Sequence, residues 1–165
     1  MKPALLVIDV QKQFFNNSPE TDRSLKDAIE YINETINLFR KKDLPIFVIQ
    51  HRDDEDKLMP GESGFDLPYE LKILSTDRHI QKTYSNSFSH TNLSDELHKL
   101  GVDTVVLTGY CAEYCVLSTY RGAMDMDLTP LMLRGGLASS TLENIRFVEN
   151  ISNLISLGAL QKFLD

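Results

Sequence analysis

Short runs rich in Val, Ile and Leu alternate along this sequence with longer segments in which apolar residues recur every three or four positions. Short continuous apolar runs are typical of strands buried on both faces, and the longer spacing is typical of helices that cover a sheet. Their alternation along one chain predicts an α/β fold, with a parallel sheet flanked by helices. The 42% apolar and 25% charged residues exclude disordered, collagen-like and coiled-coil proteins.

The apolar runs predict five strands, and a further short strand is expected near the C-terminus. The predicted strands are Ala4–Val10, Pro45–Gln50, His79–Lys82, Asp103–Gly109 and Leu128–Leu133, with the short last one within Ala159–Phe163.

Four helices are predicted from the apolar spacing and from end signals. The first is Asp22–Lys41, and the second is a shorter helix over Leu93–Leu100 that Gly101 ends. The third begins after Gly109 and carries Val116, Tyr120 and Ala123. The last follows a capping box at Ser140–Glu143 and carries Leu142, Ile145, Val148 and Leu154. The segment His51–Arg78 has little periodicity, which indicates a functional loop.

The length and charge limit the function classes. The 165 residues predict a single domain over residues 1–165. The net charge of −7 argues against nucleic acid as a partner, because binding to phosphates requires a basic surface. No apolar run is long enough for a membrane span and no signal peptide is evident, so a cytoplasmic protein without membrane partners is expected. The two cysteines, Cys111 and Cys115, are expected to be free thiols.

Three reactive side chains follow predicted strands, and ligands of parallel α/β sheets bind outside the carboxyl ends of the strands. Asp9 closes the first strand, Lys82 ends a short one, and Cys115 lies near the start of the helix after Gly109. A thiol at a helix N-terminus is expected to have a lowered pKa, and a nearby lysine would lower it further. Carboxylate, ammonium and thiol together predict an acyl-transfer site.

Each of these residues also has an ordinary structural explanation. An isolated Asp9 could cap a turn, Cys115 could be a buried packing residue, and Lys82 could be a solvated surface residue. Cys111 fits the packing explanation more readily than Cys115 does.

Three motifs resemble the isochorismatase-like cysteine hydrolases, which include nicotinamidases and N-carbamoyl-amide hydrolases. The segment LLVIDVQKQFF places Asp9, Gln11 and Phe14 on the family's Asp-x-Gln-x-x-Phe, and HIQKTYSNSF places Lys82 on its lysine. The segment VVLTGYCAEYCV is similar to the family's glycine-to-cysteine signature, with Cys115 as the cysteine. The motifs occur in family order and bracket most of the chain.

The resemblance implies a single-domain three-layer Rossmann-like fold with a six-stranded, mostly parallel sheet and a catalytic triad of Asp9, Lys82 and Cys115. It also implies a cis peptide bond between Tyr110 and Cys111, and an oxyanion hole formed by the backbone N–H groups of Cys111 and Cys115. The implied reaction is hydrolysis of a small amide, ureido or carbamoyl compound through a thioester, without a cofactor. A homo-oligomer, either a dimer or a tetramer, is expected. Residues expected to line the substrate pocket are Gln11, Phe14, Tyr84, Tyr110 and Tyr114.

Two departures from the family pattern affect these expectations. Ala112 stands where family members commonly have Thr, which weakens inference about the substrate. Nicotinamidases bind a metal through an Asp-x-His pair and a later His, whereas this chain has His51-Arg52-Asp53 and then Leu67-Pro68. Two ligands make a poor metal site, so no metal is expected.

Alternative functions remain open at the sequence level. A family member could hydrolyse a vinyl ether without using the cysteine, or could be catalytically silent and act as a binding or structural protein. The motifs of receiver domains, haloacid-dehalogenase-type phosphatases and dinucleotide-binding modules are absent; the segment Asp9-Val10-Gln11, for example, lacks the phosphatase Asp-x-Asp.

Overall fold

The computed structural model describes residues 1–165, which form one six-stranded sheet with the strand order β3-β2-β1-β4-β5-β6. Every strand pair is parallel, so the predicted α/β class and six-stranded sheet are confirmed. The strands are β1 (Pro3–Ile8), β2 (Ile46–His51), β3 (Arg78–Lys82), β4 (Thr104–Tyr110), β5 (Thr129–Ala138) and β6 (Leu154–Ile155).

Six α-helices and one π-helical turn connect the strands. They are α1 (Lys12–Phe15), α2 (Pro19–Lys41), α3 (Leu93–Lys99), the π-helical turn (Ala112–Val116), α4 (Leu117–Asp125), α5 (Leu142–Asn150) and α6 (Leu157–Leu164). None of these helices is both long enough and apolar enough to cross a membrane.

The central position of β1 in the sheet explains why its sequence is apolar without interruption. All six of its residues are buried, because helices cover both faces of the sheet. Leu5 and Val7 pack with α2 and α6, whereas Leu6 and Ile8 pack on the opposite face with α3, α4 and α5. Alternate side chains of a strand point to opposite faces, so a strand buried on both sides has no polar position.

The long helix α2 begins three residues before the predicted start. Ser18 is its N-cap, and the Ser18 Oγ accepts a hydrogen bond from the backbone N–H of Thr21 over 3.1 Å. Pro19 follows at the first helical position, where its missing N–H costs no hydrogen bond.

The C-terminal prediction of a strand within Ala159–Phe163 is wrong. This segment lies in α6, whose N-cap Ser156 accepts a hydrogen bond from the Ala159 N–H, and the sixth strand is Leu154–Ile155. A two-residue strand is too short to show a period in the sequence, whereas the apolar residues of α6 resemble a short buried strand.

The predicted capping box at Ser140–Glu143 is also wrong. Thr141 is the N-cap of α5 and makes no side-chain cap. Its backbone N–H instead donates to the Oγ of Ser139, at 3.1 Å. The helix ends at Asn150, so Leu154 belongs to β6 rather than to this helix.

Gly109 allows β4 to pass close to β1 just before the carboxyl edge of the sheet. Its φ is +114°, and a Cβ at this position would lie 2.0 Å from the carbonyl oxygen of Ile8. No other residue type fits this contact without moving one of the two strands.

Candidate active site

Asp9, Lys82 and Cys115 come from three elements that end at the same edge of the sheet. Asp9 directly follows β1, Lys82 is the last residue of β3, and Cys115 lies in the π-helical turn after β4. The Lys82 Nζ is 2.8 Å from the Asp9 Oδ2, and both side chains are at most 1% exposed. The structure thus brings the three predicted residues into one cluster.

The Asp9 backbone turns sharply where the strand ends. Its φ is +52°, a left-handed conformation that Asp adopts more readily than most residues, and its N–H still donates to the Ile49 carbonyl at 2.8 Å. Burial raises the pKa of Asp9, and the neighbouring Lys82 ammonium opposes this increase. The ion pair is therefore what keeps a carboxylate at this buried position.

The Cys115 thiol does not have the lowered pKa that the sequence predicts. Burial and the negative charge of Asp9 raise the pKa of Cys115 to about 11, although Lys82 acts in the opposite direction. The prediction is wrong because it counted the helix end and the lysine and left out the burial of the thiol and the negative charge of Asp9. The resting group is consequently the neutral thiol.

Asp9 has one oxygen available for this thiol. The Oδ2 is bonded to Lys82, whereas the buried Oδ1 has no hydrogen-bond partner. The thiol of Cys115 is close enough to Asp9 for the two groups to affect each other's pKa. A proton can thus pass from sulfur to a carboxylate that Lys82 holds in place.

The π-helical turn arranges the backbone beside Cys115. The Cys111 carbonyl accepts hydrogen bonds from the N–H groups of Tyr114 and Val116, at 3.1 and 3.2 Å, whereas the Cys111 N–H donates no hydrogen bond. The peptide bond between Tyr110 and Cys111 is cis. A free N–H group at the start of the turn that carries Cys115 is the kind of donor that an oxyanion hole requires.

The Cys111 side chain lies outside this cluster, in a buried polar environment. Its Sγ is 3.9 Å from the Ser139 Oγ. Burial and the adjacent Glu113 raise the pKa of Cys111 to about 12, so this thiol is protonated near neutral pH.

Glu113 connects the π-helical turn to β5 and α5, and sequence reasoning missed this role. The Glu113 Oε1 accepts hydrogen bonds from the Ser139 Oγ at 2.9 Å and from the Asn144 Nδ2 at 2.8 Å. Burial alone would raise the pKa of Glu113, but hydrogen bonds from Cys111, the backbone, Asn144 and Ser139 lower it. The only signal in the sequence was the position of Glu113 inside the cysteine motif.

A second missed contact anchors the loop that follows Lys82. The buried Thr119 Oγ1 accepts from the Ser87 N–H at 3.0 Å and lies 2.8 Å from the Ser87 Oγ. This contact joins the lysine loop to α4, the helix that continues from the π-helical turn. Two short polar side chains 32 residues apart give no signal in the sequence.

The five predicted pocket residues have different environments. Gln11 is fully buried and bonds to the backbone of His51, and the rings of Phe14 and Tyr110 pack together with centroids 5.0 Å apart. Tyr84 is half exposed and stacks on His90, with ring centroids 4.8 Å apart, and Tyr114 is 67% exposed. Gln11 thus holds the backbone, and the four tyrosine and phenylalanine rings remain as pocket predictions.

The residues at the nicotinamidase metal positions do not fit a metal site. The His51 Nδ1 lies 3.2 Å from the Lys82 Nζ, and the Asp53 Oδ1 accepts hydrogen bonds from the N–H groups of Glu55 and Asp56. No three His, Cys, Asp or Glu side chains are grouped so that they could hold a metal ion. Leu67 and Pro68 supply no third ligand.

Comparison with known proteins gives consistent matches over most of the chain. An isochorismatase domain model matches residues 3–153. The isochorismatase family protein YrdC of Bacillus subtilis (strain 168) is 34% identical over 140 residues, which cover 84% of this chain and 74% of that protein.

Solved structures show the same similarity. An isochorismatase-like hydrolase from Alkaliphilus metalliredigens has a TM-score of 0.90 and 26% identity, and the match covers 100% of both chains. The fold is shared with N-carbamoylsarcosine amidase from Thermoplasma acidophilum, with a TM-score of 0.81, 24% identity and coverage of 94% of this chain and 96% of that one.

Proposed function

Since the chain belongs to the isochorismatase family, as its motifs predict, we propose that it is a cysteine-dependent hydrolase of a small amide, ureido or carbamoyl compound. The observation that carries this proposal is the buried ion pair of Asp9 and Lys82 beside the Cys115 thiol. An ion pair without solvent exposure adds little net stability, so its presence at a sheet edge beside a thiol favours a chemical role.

In the first half of the proposed reaction, Cys115 forms a thioester with the substrate. The free Oδ1 of Asp9 accepts the thiol proton as sulfur attacks the carbonyl carbon, and Lys82 stabilises the resulting charges. The backbone N–H groups of Cys111 and Cys115 donate to the carbonyl oxygen as it becomes negative. Collapse of this intermediate breaks the C–N bond, and Asp9 returns the proton to the departing ammonia or amine.

In the second half, water releases the acid product. Asp9, again a carboxylate, accepts a proton from a water molecule that attacks the thioester carbon. The C–S bond breaks, the thiolate takes the proton back from Asp9, and the resting thiol is restored. The overall reaction consumes one water, and no cofactor enters any step.

The raised pKa of Cys115 supports a mechanism in which proton transfer and attack occur together. A thiol whose pKa is about 11 is present almost entirely in its protonated form at neutral pH, so a base is needed at the moment of attack. Vinyl ether hydrolysis that does not use the cysteine would give no role to the Cys115 thiol beside Asp9. The amide reaction is therefore the better proposal.

A panel of small amides, ureido compounds and carbamoyl amines, assayed for ammonia or amine release, tests the proposal. Cys115→Ala should lower turnover of any substrate by at least about a thousandfold, because the covalent route is lost. Cys111→Ala is the matched control, since it removes the other thiol and keeps the backbone N–H, and its loss should be far smaller. Full activity in Cys115→Ala would exclude the thioester, and an inactive wild-type protein across the panel would favour the silent alternative.

A further inference from the structure

His51 contacts the buried ion pair from the strand that lies between its two residues, with the His51 Nδ1 3.2 Å from the Lys82 Nζ. His51 ends β2, and its register partner on β3 is Lys82, while β1, which leads to Asp9, is the neighbour of β2 on the other side. Lys82 must therefore extend past the end of β2 to reach Asp9. We propose that His51 is a positioning residue that aims the Lys82 ammonium at Asp9 and Cys115, an inference that rests on the proposed function above.

The geometry gives two of the three N–H groups of the Lys82 ammonium an acceptor. An ammonium has three N–H donors, of which one points to the Asp9 Oδ2 at 2.8 Å and one to the His51 Nδ1 at 3.2 Å. With one acceptor the ammonium could rotate about that contact. A second acceptor at a fixed position removes this freedom and leaves the third N–H for the space shared with Cys115.

This contact requires a particular form of the imidazole. Nδ1 can accept from an ammonium only if it carries no hydrogen, so the hydrogen of the neutral ring is on Nε2. The charged groups that act on His51 are Lys82, Asp9 and Asp53. Burial and then Lys82 lower its pKa, whereas Asp9 and Asp53 raise it, with a net decrease. His51 is consequently neutral near pH 7, as the contact demands.

The backbone of His51 is held independently of the imidazole. The side-chain amide of Gln11 donates to the His51 carbonyl at 2.9 Å, and the Gln11 Oε1 accepts from the His51 N–H at 2.7 Å. Because Gln11 is fully buried and fixes the end of β2, the His51 side chain can be replaced without loss of the strand end. Substitutions at His51 thus test the imidazole itself.

Three substitutions separate the role of Nδ1 from the size and polarity of the ring. His51→Asn places an amide oxygen near the position of Nδ1, whereas His51→Gln places it near Nε2, and His51→Ala removes both. We expect His51→Asn to keep kcat within about threefold of wild type, and the other two to lose about tenfold or more in kcat with little change in KM, as for one lost hydrogen bond to a charged group. Equal kcat values for the Asn and Gln variants, or full kcat in the Ala variant, would overturn the proposal. Equal melting temperatures exclude a structural cause.

A measurement that needs no substrate separates this inference from the proposed function. Nitrogen NMR of the imidazoles should show His51 as the neutral tautomer with hydrogen on Nε2 at pH 7, with a protonation midpoint below the ordinary imidazole value of 6.5. A hydrogen on Nδ1, or a midpoint equal to or above 6.5, would contradict the positioning role. If this result is as expected while the amide panel shows no turnover, the proposed function fails and the assignment of His51 stands.

Discussion

Lys82 is a long cationic side chain without solvent exposure, and a single carboxylate balances its charge. Loss of one partner from a buried pair leaves the other charge without compensation, which costs more than loss of both. The pair also acts on the thiol of Cys115, so the same two residues influence both stability and the ionisation of this thiol. These two effects can be separated by substitution.

Asp9→Asn should lower the free energy of unfolding by about 3–5 kcal/mol, because Lys82 would remain buried beside a neutral amide. The double variant Asp9→Asn with Lys82→Met should recover part of this loss and still be inactive. Denaturant unfolding of the wild type, both single variants and the double variant measures the coupling. Additive losses in the double variant would show that the two charges do not depend on each other.

The reactivity of Cys115 should rise at a higher pH than that of an ordinary thiol. Burial and Asp9 raise its pKa from 9.0 to about 11, so the thiolate forms only as the pH rises through this higher value. Iodoacetamide labelling followed by site-resolved mass spectrometry should give a midpoint near 11 for Cys115. A midpoint below 9.0 would mean that Lys82 outweighs Asp9 at this thiol.

At the scale of elements, the close approach of β1 and β4 sets the spacing between Asp9 and the π-helical turn. Gly109 makes this approach possible because it has no side chain and adopts a φ of +114°. The register pairs Gly109 with Ile8, the residue before Asp9. A change in this contact therefore moves Asp9 relative to Cys115.

Gly109→Ala should prevent folding or destabilise the protein severely, since the new Cβ would lie 2.0 Å from the backbone oxygen of Ile8. Gly158→Ala is the matched control. Gly158 is exposed in α6 with no atom near its added Cβ, so alanine there should be neutral or stabilise by up to about 1 kcal/mol. Thermal unfolding of both variants checks the prediction. A Gly109→Ala protein with wild-type stability would contradict the contact.

The sequence was sufficient to predict those elements that have a sustained helical apolar pattern or a continuous apolar run. The starts and ends of β1, β2 and α2 lie within three residues of the predictions, and the motifs identified Asp9, Lys82 and Cys115 as the residues to examine. The errors at β6 and at the start of α5 concern elements whose limits depend on tertiary contacts. Ser87 with Thr119, and Glu113 with Asn144, are paired only by the fold, since each pair joins segments about 30 residues apart.

At the scale of the whole molecule, the strand order places the carboxyl ends of β3, β2, β1 and β4 side by side. Each of these four ends supplies one part of the proposed site: Lys82, His51, Asp9 and the turn that carries Cys115. Strand β5 supports the turn through Ser139, which directly follows it. The homo-oligomer expected from the resemblance remains a prediction.

The separation of the charged partners along the chain has a consequence for folding. Asp9 and Lys82 are 73 residues apart, and they meet only after β1, β2 and β3 have paired in parallel. Parallel pairing closes long loops before it gains contacts, so such sheets form slowly. Lys82 is the last residue of β3, so its ammonium can be buried against Asp9 only once β3 has joined the sheet. Assembly of the proposed site would therefore be a late event in refolding, and a chain without the third strand would lack Lys82.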